Sequence, residues 1–146
     1  MKFFAVIDTN VIVSAFLKWD SIPGFVLQSV FEGLVIPVFN EQILEEYSLV
    51  LKRKKFGFNQ ERIIEVIEQI KLLGIHEEKL IEVKEEMPDP KDIVFYSVAL
   101  AHGNKTHTHL VTGNTKHFPR NPIVVTPREF LEIIGILPQE IFVSET

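Results

Sequence analysis

The sequence predicts an α/β fold in which a mainly parallel, roughly five-stranded sheet is covered by helices on both faces. Three observations lead there. Short apolar stretches of strand length alternate with longer helix-like stretches along the chain, the order expected of strand–helix–strand units with right-handed crossovers. The strand-length stretches, such as Phe3-Phe4-Ala5-Val6-Ile7, are apolar at consecutive positions, as in strands buried on both faces. Helix starts are marked by Asn40, Asn59 and the capping box Thr126-Pro127-Arg128-Glu129.

Length and composition bound the rest. The 146 residues fit one domain spanning 1–146. A hydrophobic share of 46% with 24% charged residues is that of an ordinary globular chain and argues against disorder or low complexity. The absence of cysteine excludes a disulfide scaffold, a thiolate zinc site and cysteine catalysis. No apolar run approaches the ~18 residues of a membrane span, and no signal-peptide pattern opens the chain, so a cytoplasmic protein with no membrane partner is expected. The net charge of −5 gives no general attraction to nucleic acid. A nucleic-acid substrate would need a cation or a local basic patch.

Taken in order, the first strand ends at Asp8. Two short helices are expected at 11–17 and 25–31, with Asn10 a candidate cap for the first and Pro23-Gly24 a break before the second. Gly33 closes the second helix and a buried strand follows at 34–39, where Pro37 counts against central pairing. In the helix at 41–51, Ile43, Tyr47, Val50 and Leu51 mark the inner face. At about 100° per residue Glu46 lies on the border of that face, whereas Glu45 points to water.

Lys52-Arg53-Lys54-Lys55 is the one concentrated basic run. A helix from Asn59 to Gly74 comes next, then a short candidate third strand at 80–83 within an acidic stretch, 77–86, read as solvated surface. Asp89-Pro90-Lys91-Asp92 starts a helix that is apolar or small nearly all round, with Asp89 as cap and proline in its first turn. An acid at the head of such a helix is costly unless a cation pairs with it. Strands are expected at 108–112 and 123–125, and a last helix stops at Gly135. The tail, 137–146, carries Ile141, Phe142 and Val143 and is free to pack on the core or on a second subunit.

Asp8, Glu46 and Asp92 stand at equivalent places, each after a strand. In a parallel sheet those places share the C-terminal edge, so the three acids can converge. Convergent carboxylates repel one another unless a divalent cation lies among them, and oxygen-only ligands suit magnesium or manganese. Such an ion polarises a phosphodiester and neutralises charge on the leaving oxygen. Lys52, Arg53, Lys54, Lys55, Lys116, His117 and Arg120 could then hold an RNA backbone.

The residues that carry this chemistry match a known pattern. Val6-Ile7-Asp8-Thr9-Asn10-Val11-Ile12-Val13-Ser14, Ile43-Leu44-Glu45-Glu46-Tyr47 with Lys54-Lys55-Phe56, Asp89-Pro90-Lys91-Asp92 leading to Ala99-Leu100-Ala101, and Leu110-Val111-Thr112-Gly113-Asn114 through Phe118-Pro119 occur in the order seen in PIN-domain ribonucleases. The chain resembles that family, most closely its branch of toxins from toxin-antitoxin pairs, over nearly its whole length. The resemblance implies a three-layer α/β/α fold, cleavage of single-stranded RNA with magnesium or manganese, and ligation of the ion by Asp8, Glu46 and Asp92. It also implies that Asn10, Ser14 and Thr112 orient the acids or the metal-bound water; Asp89, explained by its place as helix cap, is kept as a candidate supporting group. Many members carry a fourth acid after the Thr-Gly pair; Asn114 stands there, so one firmly held ion is expected. A cognate antitoxin and a homodimer are the expected protein partners, with apolar surface near the second helix and the tail as candidate contacts.

Competing readings follow from the same residues. Asp8 and Asp92 could serve only as helix-terminal acids. Non-catalytic binding of RNA or a protein by a PIN scaffold is the alternative function. A phosphoacceptor receiver domain would want an acidic pair after the first strand, where Thr9-Asn10 stands, and phosphatases with two aspartates one residue apart are disfavoured by Asn10. His107 and His109 share a strand face, but a zinc reading lacks a third ligand. Trp19 beside Lys18 could stack a base or simply pack in a loop.

Overall fold

The computed structural model describes residues 1–136. Its centre is β1, Phe3–Ile7, in which Ala5, Val6 and Ile7 are fully enclosed. Two parallel neighbours enclose it: β2, Val35–Phe39, runs from Phe3↔Val35 to Ala5↔Pro37, and β4, Thr108–Val111, from Phe4↔Thr108 to Ile7↔Val111. The two-residue strands β3, Ile75–His76, and β5, Val124–Val125, complete the sheet beside β2 and β4. The order is β3-β2-β1-β4-β5 and every pairing is parallel, as the sequence predicts. The chain steps outward from β1 to β3 and then returns to the other side of β1 with β4. Strand order therefore reverses at β1, and the crevice beyond its C-terminal end is where such sheets receive ligands.

Helices cover both faces, giving the three-layer α/β/α architecture. The described helices longer than one turn are α1, Thr9–Leu17; α2, Ile22–Phe31; α3, Glu41–Leu51; α4, Gln60–Leu73; α5, Ile93–Gly103; and α6, Pro127–Ile133. Helix α5 lies across β1, β2 and β4, while α2 packs on β2 with α1 and α6 against it. The expected caps form. The Ile43 amide donates to Asn40, the Arg62 amide to Asn59, and Thr126 and Glu129 satisfy each other's backbone N–H groups. No helix among the described residues is long and apolar enough to cross a membrane. The tail expected to pack on the core or on a second subunit, 137–146, lies outside the described residues.

Several expectations need correction. Asp8, not Asn10, occupies the N-cap position of α1, and it makes no capping bond. Pro23 and Gly24 do not break the chain before the second helix. They form its first turn, with Ser21 as cap, because proline is tolerated where no intrahelical N–H is needed. β2 is an inner strand of the sheet, but Pro37 itself is paired on one side alone, with Ala5 of β1; β3 joins β2 only at Val38 and Phe39, so no ladder bond on that side is asked of its missing N–H. Gly74 does end α4, as the sequence predicts, but with an extended backbone, and glycine is needed there for close packing: a Cβ would stand 2.4 Å from the Pro37 carbonyl oxygen and 2.5 Å from the Phe39 ring.

The third strand is Ile75–His76; residues 80–83 are irregular. They are tied to α5 instead of to a strand, through Ser97, whose hydroxyl accepts from the Ile81 amide at 2.8 Å and donates to its carbonyl at 2.6 Å. The acidic stretch is not uniformly solvated either. Glu77 is 1% exposed, with His102 Nδ1 at 3.0 Å and Lys105 Nζ at 2.9 Å. Burial alone would raise its pKa, but the bonds from Lys105, His102 and the Lys79 amide prevail and bring it down to about 2. These contacts anchor the long segment that leads to Asp92.

Because the folded-state pKa of Glu77 lies below its ordinary 4.5, its contribution to stability is complete above that pH and is lost as pH falls toward 2. Glu77→Gln should therefore flatten the fall in urea-derived stability between about pH 5 and pH 2 relative to wild type. Glu77→Ala should cost about 3 kcal/mol at neutral pH by stranding a buried histidine. Parallel wild-type and Glu77→Gln curves would contradict this assignment.

Candidate active site

The acid of β1 emerges at the point of strand reversal. Asp8 is 4% exposed, its amide donates to the Val111 carbonyl at 2.9 Å, and its Oδ2 accepts from Thr112 Oγ1 at 2.8 Å and Asn10 Nδ2 at 3.2 Å. Thr112 leaves β4 just as Asp8 leaves β1, so this bond closes the gap between the two strands. Asn10 reaches further, accepting from the Gly113 amide at 3.0 Å, while the Asn114 amide donates to Thr112 Oγ1. Burial pushes the pKa of Asp8 from 3.8 up to about 6; the Thr112 bond opposes this, and the charges of Asp92 and Glu46 add to it.

Helix α3 brings the second acid. Glu45 is exposed and Glu46 is half-buried, as helical periodicity predicts. Thr9 Oγ1 lies 3.2 Å from Glu46 Oε2 and orients it. One residue on, the Tyr47 hydroxyl donates to the Ile7 carbonyl, pinning α3 beneath the end of β1. Burial, with Asp8 and Glu46 nearby, holds the Tyr47 hydroxyl well above its usual pKa.

The third acid comes from the one-turn helix Pro90–Asp92 that precedes α5. Asp92 is half-buried, and its pKa is raised by burial and by Asp89, with His117 acting against this and Glu46 adding to it. His117 Nδ1 stands 3.5 Å from Asp92 Oδ2, which places an imidazole beside the acid. Asp89 caps the turn by accepting from the Lys91 amide at 3.0 Å.

Asp8, Glu46 and Asp92 thus line one open cleft of about 430 Å³, together with Asn10, Ser14, Asp89 and Asn114. Arg53, Lys91 and His117 are its basic groups. The other basic candidates separate from it. Lys52, Lys54 and Lys55 are exposed beyond the cleft, Lys55 lying over the Phe56 ring, while Lys116 and Arg120 line a neighbouring hollow of about 290 Å³. Trp19 stacks on Phe31 and carries Arg62 over its ring, so it serves packing between α2 and α4. Sequence reasoning missed Thr9 and Lys91 as site residues and read Tyr47 only as core. The cleft-facing parity of Thr9 relative to Glu46 had no local signal.

The donor chemistry of the three carboxylates suits a hard divalent cation, since each is held near like charge and the most buried one is least at ease ionised. Among the described residues no three acids or histidines already stand close enough to grip an ion. The carboxylates share a cleft and are not a preassembled cage.

Asp8 has a folded-state pKa above its unfolded value, so its ionisation lowers stability as pH rises from about 4 through 6. The cost above that range is on the order of 2–3 kcal/mol. Asp8→Asn should therefore raise stability in chemical denaturation by about 2 kcal/mol near pH 7.5, with the gain fading toward pH 4. A destabilised Asp8→Asn would show that the carboxylate is not strained by burial.

Comparison with known proteins agrees with the fold. The family model described as PIN domain matches residues 5–116, which include Asp8, Glu46 and Asp92. The uncharacterized protein MJ1680 of Methanocaldococcus jannaschii is similar, at 29% identity over 144 residues, covering 90% of this chain and 92% of that protein. No solved structure matches.

Proposed function

Since the chain belongs to the PIN-domain family, whose fold is of nuclease type, we propose that the cleft hydrolyses phosphodiester bonds of single-stranded RNA with the aid of magnesium or manganese. The supporting observation is the meeting of Asp8, Glu46 and Asp92, from three distant parts of the chain, in one cleft where burial and neighbouring acids hold Asp8 and Asp92 above the ordinary carboxylate range. In this reading those three carboxylates hold the ion. When bound, it supplies Lewis-acid polarisation of the phosphodiester and offsets charge on the leaving oxygen.

The remaining steps belong to the chain. Thr112 and Asn10 fix the direction of Asp8, and Thr9 fixes Glu46, so the carboxylates are oriented before substrate arrives. Arg53 and Lys91 are placed to meet phosphate oxygens on the cleft wall, and His117 adds a donor beside Asp92. Lys116 and Arg120 can hold the strand beyond the cut through phosphate contacts that carry no sequence information. Lys52, Lys54 and Lys55 extend the basic surface outward from Arg53. The biological setting we propose is that of a cytoplasmic toxin held by a cognate antitoxin, with the active protein a homodimer.

A second reading, a PIN scaffold that binds RNA or a protein without cutting, draws on Asn114 in place of a fourth acid and on the absence of a preassembled acid cage among the described residues. Incubation of the purified chain with single-stranded RNA and manganese separates the two. Cleavage is expected with manganese, none with chelator, and a loss of about 100-fold or more in kcat/KM for Asp8→Asn and Asp92→Asn. Arg53→Ala should raise KM by roughly tenfold while leaving kcat closer to wild type. Binding without cleavage by the wild type would favour the scaffold, and equal cleavage by Asp8→Asn would remove these acids from the chemistry.

A further inference from the structure

We propose that His107 and His109 form a second metal site, remote from the acid cleft, that takes zinc or a similar imidazole-preferring d-block ion through two histidine nitrogens. His109 is two residues beyond His107 and lies within β4, so period-two geometry sends both side chains to one face. That face is the one on which α6 lies, with His109 against the Phe130 ring at 5.7 Å between centroids. The acid cleft is fed by the other end of β4, through Thr112.

The Nε2 atoms lie 3.3 Å apart, with the rings nearly perpendicular at 86° and their centroids 4.6 Å apart. Two imidazole nitrogens bound to one tetrahedral zinc at ~2.05 Å stand about 3.3–3.4 Å apart, so the pair already has the spacing the ion requires. An N–H···N hydrogen bond accounts for the same distance without metal. Exchanging it for the ion needs the donating ring to carry its proton on Nδ1, which leaves both Nε2 lone pairs free, and the exposed His107 ring to turn so that the two lone pairs meet at the ion.

Other features favour capture. His109 is buried and held in place, so one ligand is preorganised, whereas His107 is exposed and gives entry from solvent. Burial and the neighbouring His107 lower the pKa of His109, which keeps that ring in the neutral, ligating form at neutral pH. No third histidine, cysteine or acid completes the set among the described residues. Water fills the remaining positions.

The test uses the full chain with Asp8→Asn, so that the acid cleft does not compete, and zinc chloride as the probe at about pH 7.5. One zinc per chain is expected by calorimetry, together with joint shifts of the His107 and His109 ring nitrogen resonances. His107→Ala should weaken binding at least tenfold, and because His107 is exposed it should keep the thermal midpoint of its parent in the absence of metal. Unchanged zinc affinity in His107→Ala, or zinc binding that leaves both ring resonances unmoved, would overturn the site.

Discussion

The buried carboxylate of Asp8 is the constraint around which the molecule is arranged. A strand enclosed on both faces ends in an acid that is 4% exposed, and burial alone would leave that acid protonated under mildly acidic conditions. What makes it tolerable is a set of short polar bonds from Thr112 and Asn10, supplied by the neighbouring strand end and by the first turn of α1. The Thr112 bond exists only if β4 lies beside β1 in register, with Ile7 opposite Val111. Sheet order and site geometry are thus the same fact seen at two scales.

Glu46 and Asp92 are brought to Asp8 by different means. Glu46 is positioned by a helix whose next residue, Tyr47, is fastened to the Ile7 carbonyl, so the second acid is registered directly against the first strand. Asp92 follows a long irregular segment with no strand pairing of its own. That segment is fastened to α5 at Glu77 and at Ile81, and α5 in turn lies across β1, β2 and β4. The placement of the third acid depends on polar anchors well away from the cleft. The resulting group repels itself, a state that stability alone would not select and that a cation would relieve.

Features with local causes were legible in the sequence. The apolar run of β1, the caps at Asn40, Asn59 and Thr126 and the inward border position of Glu46 each depend on residues within one turn or strand. So did the family resemblance, whose motifs are short. What the sequence hid was long-range. Glu77 looked like one acid among many because its partners, His102 and Lys105, follow 25 and 28 residues later. The two-residue β3 offers no alternation to read, and the more apolar 80–83 stretch, which has the composition of a strand, spends its polar groups on Ser97. The basic run at 52–55 looked uniform, yet only Arg53 lines the cleft, because side-chain direction at the end of α3 separates neighbours that composition cannot.

The central claim is that Asp8 is a strained carboxylate awaiting a cation, and its titration followed by carboxyl carbon NMR reads this directly. Without divalent ions the midpoint should lie near 6, and saturation with magnesium should move it below the ordinary carboxylate value of 3.8. A midpoint near 3.8 that ignores magnesium would contradict the account.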